Sequence, residues 1–169
     1  YEQTKNKMRI VVGGSHGKTS VCSMIMHVMK SCDMQFDYMV GAKIEGFDTM
    51  VNLEEKNSIA VFEGDEYLSS AIDPRPKFHW YKPHIAILTG IAWDHINVFP
   101  TFGEYVNQFD VFAGMIEPKG HLIYYADDEN LSAIAQKHSS INTKAYQELE
   151  SRRSDNGTEI LLDGKAYPV

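Results

Sequence analysis

The stretch "RIVVGGSHGKTSVCSMIMHVMK", residues 9–30, joins a β-branched segment, a glycine-rich turn and an amphipathic segment. Apolar residues after Lys18 recur at intervals of three and four, which predicts a helix over residues 18–31, and a strand over residues 8–12 precedes it. A strand, a glycine loop, Lys-Thr and a helix follow one another in phosphate-binding loops. The alternative is an ordinary helix N-terminus with an exposed lysine. The surrounding pattern favours the phosphate-binding loop.

The residues of this loop suit the triphosphate of ATP. Backbone amides around Gly17 can surround a phosphate, Lys18 can reach the β- and γ-phosphates, and the Thr19 hydroxyl can bind Mg²⁺. The loop is shorter than usual, because the position five before Gly17 is Val12 rather than glycine. His16 either touches phosphate or shapes the loop. The predicted nucleotide-binding residues are Gly14, Ser15, His16, Gly17, Lys18, Thr19 and Ser20.

Length and composition narrow the class of protein. The chain has 169 residues, enough for one domain with a substantial core. A net charge of −7 argues against a nucleic-acid partner, which would need a basic face. No apolar run approaches the roughly 20 residues of a membrane span. Cys22 and Cys32 lie about 15 Å apart along the predicted helix, too far for a disulfide. We therefore expect two small core cysteines in a cytoplasmic protein without membrane contact.

Strand and helix signals alternate along the chain. Further strands are predicted over residues 38–40, 58–62, 84–89 and 121–125, and further helices over residues 102–115 and 129–138. Apolar runs such as "SIAVF" and "HIAIL" are typical of strands covered on both faces in a parallel sheet. The fold class is therefore α/β, a three-layer P-loop NTPase-like domain with a mostly parallel central sheet. Asp163-Gly164 predicts a type I′ hairpin turn, and residues 150–157 predict a polar loop.

Two further polar groups follow predicted strands. Glu63 ends a buried strand and precedes Asp65 and Glu66, and the pair Asp94-His95 follows another. A P-loop enzyme needs an acid that holds the metal, and ligands of such folds gather at the carboxyl ends of strands. Glu63 is the predicted Mg²⁺ ligand and His95 a predicted functional residue. Asp65, Glu66 and Asp94 are predicted to support these two residues. The alternatives are a solvated acidic turn and a structural histidine.

Together these motifs resemble the Mur ligases, ATP-dependent enzymes that attach amino acids to a peptidoglycan precursor. The loop form G-[TS]-[HN]-G-K-T matches residues 14–19, E-x-D-E matches residues 63–66, and a later D-H matches residues 94–95. The resemblance implies the central ATP-binding domain of that family, with ATP and Mg²⁺ as cofactors. It implies catalytic roles for Lys18, Glu63 and His95, and a metal held by Thr19, Glu63 and His95.

The resemblance also implies a substrate class. Histidine in the loop is similar to the branch that acts on UDP-N-acetylmuramate itself, in peptidoglycan synthesis or recycling. A tyrosine after D-E and the string D-x-R-x-K-F at residues 73–78 favour the peptide L-alanyl-γ-D-glutamyl-meso-diaminopimelate as the amine substrate. The alternative amine is L-alanine.

Several positions depart from the family pattern. Thr89 is followed by Gly90 where an asparagine is common, and Asn97 replaces the last acid of D-H-x-D. The carbamylated lysine that several Mur ligases use for a second Mg²⁺ has no counterpart, because no lysine lies between His95 and Lys119. These departures leave the coordination of a second metal open.

The family architecture predicts that residues 1–169 are an incomplete central domain of a three-domain protein. Its N-terminal UDP-sugar domain, the end of the central domain with its G-x-H-N-x-x-N segment, and the C-terminal domain would lie outside. We expect the isolated piece to be inactive as a ligase. Two other classes stay open: a P-loop kinase or GTPase, against which stands the lack of an N-K-x-D string, and a non-catalytic nucleotide-binding module.

Overall fold

The computed structural model describes residues 1–154 and 157–168. In chain order, its strands are β1 (Met8–Gly13), β2 (Asp37–Met39), β3 (Val51–Asn52), β4 (Ile59–Glu63), β5 (Leu68–Ser70), β6 (Asp73–Pro76), β7 (Ile85–Leu88), β8 (His121–Tyr125), β9 (Asn142–Tyr146), β10 (Ser151–Ser154), β11 (Gly157–Leu162) and β12 (Lys165–Pro168). The α-helices of the described residues are α1 (Lys18–Ser31), α2 (Phe102–Ala113) and α3 (Glu129–Lys137). A 3₁₀ helix, Lys77–Trp80, precedes β7.

The described residues build a seven-stranded sheet in the order β3-β2-β4-β1-β7-β8-β9. All neighbours pair in parallel except β2 and β3, which pair antiparallel at one edge. Parallel sheets of this kind need both faces covered. The prediction of an α/β domain with a mostly parallel central sheet is confirmed.

Two hydrophobic clusters cover the opposite faces of the sheet. Successive strand residues point to opposite sides, so Val11 and Val12 of β1 belong to different clusters, and both are fully buried. The Val12 cluster contains Cys22, Met26 and Met29 of α1. The Val11 cluster contains the aromatic stripe of α2 and the apolar face of α3. Helices therefore lie on both faces, which confirms the three predicted layers.

The strand order reverses at β1. The chain leaves β1 through α1 towards β2 and β4 on one side, and then crosses to β7, β8 and β9 on the other. In open α/β sheets, ligand crevices lie outside the carboxyl ends of the strands at such a switch point. The loop after β1 consequently lies between the ends of β4 and β7.

The principal elements agree with the sequence within two residues at each end. Helix α1 has the predicted bounds, and the hairpin of β11 and β12 turns at Asp163 and Gly164, with φ of 51° and 73°. Positive φ at both positions is the signature of the predicted type I′ turn. The predicted polar loop 150–157 is wrong for residues 151–154, which form β10, and for Gly157, which begins β11. Strand β10 reads Ser-Arg-Arg-Ser and therefore has no apolar signal, and the ion pair of Arg152 with Glu159 joins it to β11. Residues 155–156 lie outside the described part.

The two cysteines differ in burial. Cys22 is fully buried under the sheet, whereas Cys32 follows the end of α1 and is exposed. The prediction that both are core residues is therefore wrong for Cys32, because it lies just beyond the last helical residue, Ser31, in the exposed stretch 30–35. Within residues 1–154 and 157–168, no helix is long and apolar enough to cross a membrane.

Candidate nucleotide-binding site

The glycine loop after β1 is shaped by two positive φ angles. Gly14 has φ 128° and Gly17 has φ 80°, a region that side chains rarely adopt. A Cβ at Gly14 would overlap the hydroxyl oxygen of Thr89, so the loop packs closely against the end of β7. The Ser15 amide donates to Gly90 O at 2.9 Å and fixes this approach. The glycines of the motif are thus required by the backbone path.

Helix α1 begins directly after Gly17, at Lys18. Gly17 supplies no side-chain cap, and the first turn carries no acidic residue. The first amides of an α-helix have no intrahelical acceptor, and the helix dipole adds partial positive charge there. This N-terminus can therefore accept an anion at the mouth of the loop.

The Lys18 side chain is folded back over its own loop. Its Nζ donates to Gly14 O at 2.7 Å and lies 3.0 Å from Glu66 Oε2. The Glu66 side chain is fully buried, whereas that of Lys18 is 16% exposed. The ammonium group thus lies at the boundary between a buried carboxylate and the open side of the loop.

Thr19 and Glu63 meet across the sheet end. The Thr19 hydroxyl donates to the Glu63 carboxylate, with Oε1 and Oε2 both at 3.0 Å. Glu63 is the last residue of β4, and its Oε2 also accepts the Gly41 amide at 2.8 Å. The first turn of α1 and the end of β4 therefore place two oxygen donors side by side.

His95 has an uncommon backbone conformation. Its φ is 55°, and its ring packs edge-on against Tyr67 with centroids 4.7 Å apart. Its Nε2 lies 3.2 Å from Glu66 Oε1. Non-glycine residues with positive φ persist where surrounding contacts hold them, and they cluster at functional sites. Here these contacts place the ring beside Glu66, which also contacts Lys18 of the loop.

The sequence predicted only a supporting role for Glu66, whereas in the structure it contacts several residues of the site. Its Oε1 receives Lys18, His95 and the Tyr105 hydroxyl, at 3.1, 3.2 and 3.2 Å. Its Oε2 is buried and, among the described residues, accepts no hydrogen bond. The E-x-D-E string did contain Glu66, but only the fold shows that it connects the lysine to the histidine.

A cavity of about 450 Å³ lies beside these groups, and neither Thr19 nor Glu66 is among its lining residues. Its lining includes Lys18, Glu63 and His95, together with Asp65 and Asp94. The structure therefore brings the three predicted catalytic residues to one cavity, and Thr19 adjoins it through Glu63. Burial by itself would raise the pKa of Asp65, but hydrogen bonds from Lys77 and the Tyr67 amide hold that pKa below its ordinary value.

Ser15 and Lys18 are the predicted nucleotide-binding residues that line this cavity. His16 is exposed and, together with Ser15, lines a second cavity of about 430 Å³ next to the carboxyl end of β8. Ser20 is exposed on the first turn of α1. Gly14, Ser15, Gly17 and Thr19 form or flank the loop itself.

The donor set fits Mg²⁺. Mg²⁺ binds oxygen ligands and is usually held by one or two carboxylates, water and substrate phosphates. Thr19 and Glu63 supply adjacent oxygens, and the buried Oε2 of Glu66 is ion-paired with Lys18 at 3.0 Å but accepts no hydrogen bond from any other described residue. Within the described ranges, no three His, Cys, Asp or Glu side chains form a closed metal cluster. The arrangement therefore suits a metal that shares its coordination with a bound phosphate.

The fold and the loop define a P-loop α/β domain. The chain belongs to the Mur ligase family, because the family model "Mur ligase middle domain" matches residues 12–166.

Three known proteins show the extent of this similarity. The chain is 30% identical over 122 residues to the UDP-N-acetylmuramate–L-alanine ligase of Parabacteroides distasonis, covering 72% of the chain and 25% of that protein. It is 27% identical over 140 residues to the ligase of the same name from Clostridium botulinum, covering 83% of the chain and 29% of that protein.

The solved UDP-N-acetylmuramate:L-alanyl-γ-D-glutamyl-meso-diaminopimelate ligase from Neisseria meningitides superposes with a TM-score of 0.82 at 24% identity. This superposition covers 96% of the chain and 54% of that one, and at this identity it shows the fold. The chain thus spans about a quarter of the length of the curated relatives that it matches.

Proposed function

We propose that this chain binds Mg·ATP and serves as the central domain of a longer cytoplasmic ligase of peptidoglycan synthesis or recycling. The observation that carries the proposal is geometric. Lys18, Glu63 and His95 line one cavity, and Thr19 contacts Glu63 at 3.0 Å. A kinase or a passive nucleotide-binding module would need a similar loop, so the family membership of residues 12–166 favours the ligase.

The proposed reaction activates a carboxylate. The γ-phosphoryl group of ATP passes to the carboxylate of UDP-N-acetylmuramate and gives an acyl phosphate and ADP. The amine of the second substrate then attacks the carbonyl carbon, loses a proton and displaces inorganic phosphate, so that an amide bond forms. The first step brings two anions together, and positioned positive charge is the main way in which a protein lowers such a barrier.

The residues of the site have distinct tasks in this proposal. Lys18 leaves its contact with Gly14 O and binds the β- and γ-phosphates, while the amides at the start of α1 surround them. Thr19, Glu63 and Glu66 supply oxygens for Mg²⁺, which supplies charge neutralisation at the phosphoryl group when bound. His95 belongs with Thr19 and Glu63 to the predicted set of metal-binding residues. Its Nε2 lies close to the Glu66 carboxylate, which Lys18 also contacts.

The amine substrate is the finer part of the proposal. We favour the peptide L-alanyl-γ-D-glutamyl-meso-diaminopimelate over L-alanine. The support is the sequence after D-E, in which Tyr67 and the D-x-R-x-K-F string at residues 73–78 resemble the peptide-adding branch of the family. This segment folds as the hairpin β5–β6 and a 3₁₀ helix. L-alanine remains the second candidate, because the curated relatives named above are L-alanine ligases.

Two experiments test the proposal. Calorimetric titration of the chain with Mg·ATP should show binding that Lys18→Ala weakens at least tenfold, and equal binding by both proteins would contradict a nucleotide role of the loop. For the amine, the natural protein that contains these residues is supplied with ATP, UDP-N-acetylmuramate and either L-alanine or the peptide. Phosphate release should be faster with the peptide. Faster turnover with L-alanine would select the second candidate.

A further inference from the structure

A buried tyrosine on α2 links the glycine loop to Glu66. Tyr105 is fully buried, and its hydroxyl lies 2.9 Å from Ser15 Oγ and 3.2 Å from Glu66 Oε1. Its ring packs against Phe99 and Phe109 within the core of the α2 face. A tyrosine hydroxyl inside a core needs a polar partner. Both of its partners belong to the candidate site.

The hydroxyl proton of Tyr105 can be assigned from the contacts. The Ser15 hydroxyl lies 2.7 Å from Ala92 O and accepts the Ala92 amide at 2.9 Å. Glu66 is a carboxylate and can only accept, so the proton of its contact with Tyr105 comes from the tyrosine hydroxyl. The single Ser15 proton is then left for Ala92 O or for the Tyr105 oxygen. An ordinary tyrosine hydroxyl keeps its proton at neutral pH, so the group acts as a donor here.

This hydrogen bond makes the two oxygens of Glu66 unequal. Oε1 is engaged by Tyr105, Lys18 and His95. Oε2 is ion-paired with Lys18 Nζ at 3.0 Å and accepts no hydrogen bond from any other residue of the described ranges. A carboxylate fixed through one oxygen presents the other in a defined direction. If Lys18 moved to a triphosphate, Oε2 would be left for a cation.

We propose that Tyr105 is a positioning residue whose hydroxyl holds the Glu66 carboxylate so that Oε2 is directed at bound Mg²⁺. The inference rests on the proposed Mg·ATP binding and adds a residue that no motif of the loop contains. Groups that orient metal ligands typically contribute about 10–100-fold to metal affinity. Tyr105→Phe keeps the ring and removes only the hydroxyl. We expect the Mg²⁺ concentration for half-maximal enhancement of ATP binding to rise about tenfold.

The test is calorimetric titration of the 169-residue chain with ATP, in EDTA and over a series of Mg²⁺ concentrations. Tyr38→Phe is the matched control, because Tyr38 is a buried tyrosine on the opposite face whose hydroxyl contacts Thr49 at 3.3 Å. Tyr105→Phe should bind ATP in EDTA within twofold of the parent chain but lose most of the Mg²⁺ enhancement. Tyr38→Phe should match the parent in both conditions.

Three outcomes would overturn the inference. An unchanged Mg²⁺ dependence of Tyr105→Phe would leave the proposed function intact and remove only the role of the tyrosine. An equal loss with and without Mg²⁺ would indicate a purely structural role. Equal ATP binding by the parent and Lys18→Ala would remove the proposed function and this inference with it.

Glu66→Gln and the double variant Glu66→Gln/Tyr105→Phe provide a second measurement. If the Tyr105 hydroxyl acts through Glu66, removing it has no further effect once the carboxylate has been replaced. The Mg²⁺ dependence of the double variant should then equal that of Glu66→Gln. Additive effects would contradict the inference, because independent sites add.

Discussion

The Thr19 hydroxyl lies 3.0 Å from both carboxylate oxygens of Glu63, so the first turn of α1 and the last residue of β4 share one polar contact. We predict that Glu63→Gln keeps an oxygen for Thr19 but reduces Mg²⁺-dependent ATP binding by at least tenfold, because the negative charge is lost. Calorimetric titration with and without Mg²⁺ measures this. The exposed carboxylate of Glu55 provides a control, since Glu55→Gln should change neither value. Equal Mg²⁺ dependence of both variants would contradict the assignment of Glu63 as a ligand.

Alanine substitution should have opposite effects on stability at two glycines, Gly14 in the loop and Gly103 in α2. Gly14 has φ 128°, and a Cβ there would crowd the Thr89 hydroxyl. Gly14→Ala should lower the free energy of unfolding by about 1–3 kcal/mol and weaken ATP binding. Gly103 lies inside α2, and a Cβ there would meet only open space, so Gly103→Ala should stabilise by roughly 0.5–1 kcal/mol. Urea unfolding compares them, and equal effects would show that the loop tolerates a side chain.

The two thiols should react at very different rates. Burial, with a smaller contribution from the Glu63 charge, raises the pKa of the Cys22 thiol to about 12, and the side chain is inaccessible. Cys32 is exposed after the end of α1. At pH 8, a maleimide should label Cys32 in the folded protein and Cys22 only after unfolding. Mass spectrometry of the native and urea-treated protein, with Cys32→Ser as control, checks this. Rapid native labelling of Cys22 would contradict its position under the sheet.

The contact between α2 and α3 predicts an acid-dependent contribution to stability. Burial by itself would raise the pKa of Asp110, but hydrogen bonds from Lys137 and His138 lower it below its ordinary value. A lowered carboxyl pKa stabilises above the pKa of the unfolded chain, and this contribution is lost as the pH falls through the folded value. Asp110→Asn should therefore cost about 1 kcal/mol at pH 7, since Lys137 is largely exposed.

The difference in the free energy of unfolding between Asp110→Asn and the parent should shrink below about pH 4, where an ordinary aspartate becomes protonated. Urea unfolding at pH 7, 5 and 3.5 measures it. Asp48 is exposed, and Asp48→Asn serves as the control. A difference that persists unchanged at pH 3.5 would show that the aspartate contributes through packing rather than charge.

The sequence predicted those parts of the fold in which burial produces a pattern. Helix α1 shows a period of three to four because one face packs under the sheet, and β4 and β7 are apolar because helices cover both faces. Strand β3 has two residues, and β9 is mostly exposed at the sheet edge. Such strands carry no apolar signal, since their pairing depends on a neighbour that the local sequence does not reveal.

The candidate site was predicted where it follows from a motif. Lys18, Thr19, Glu63 and His95 were proposed from loop spacing and from their positions after strands, and their roles stay predictions. The connecting role of Glu66 was not proposed, because it depends on Tyr105, which is 39 residues away and lies in an ordinary apolar stripe of α2. The period of a helix predicts which residues are buried, but not which buried hydroxyl meets a carboxylate.

The most direct test of the account is a crystal structure of the chain with Mg²⁺ and a non-hydrolysable ATP analogue. We predict a triphosphate enclosed by residues 14–19, with Lys18 Nζ moved from Gly14 O to the β- and γ-phosphates. The ion should lie about 2.1 Å from Thr19 Oγ1, with Glu63 in its coordination or hydrating shell. A triphosphate bound elsewhere, with Lys18 still on Gly14 O and no ion beside Thr19 and Glu63, would contradict it.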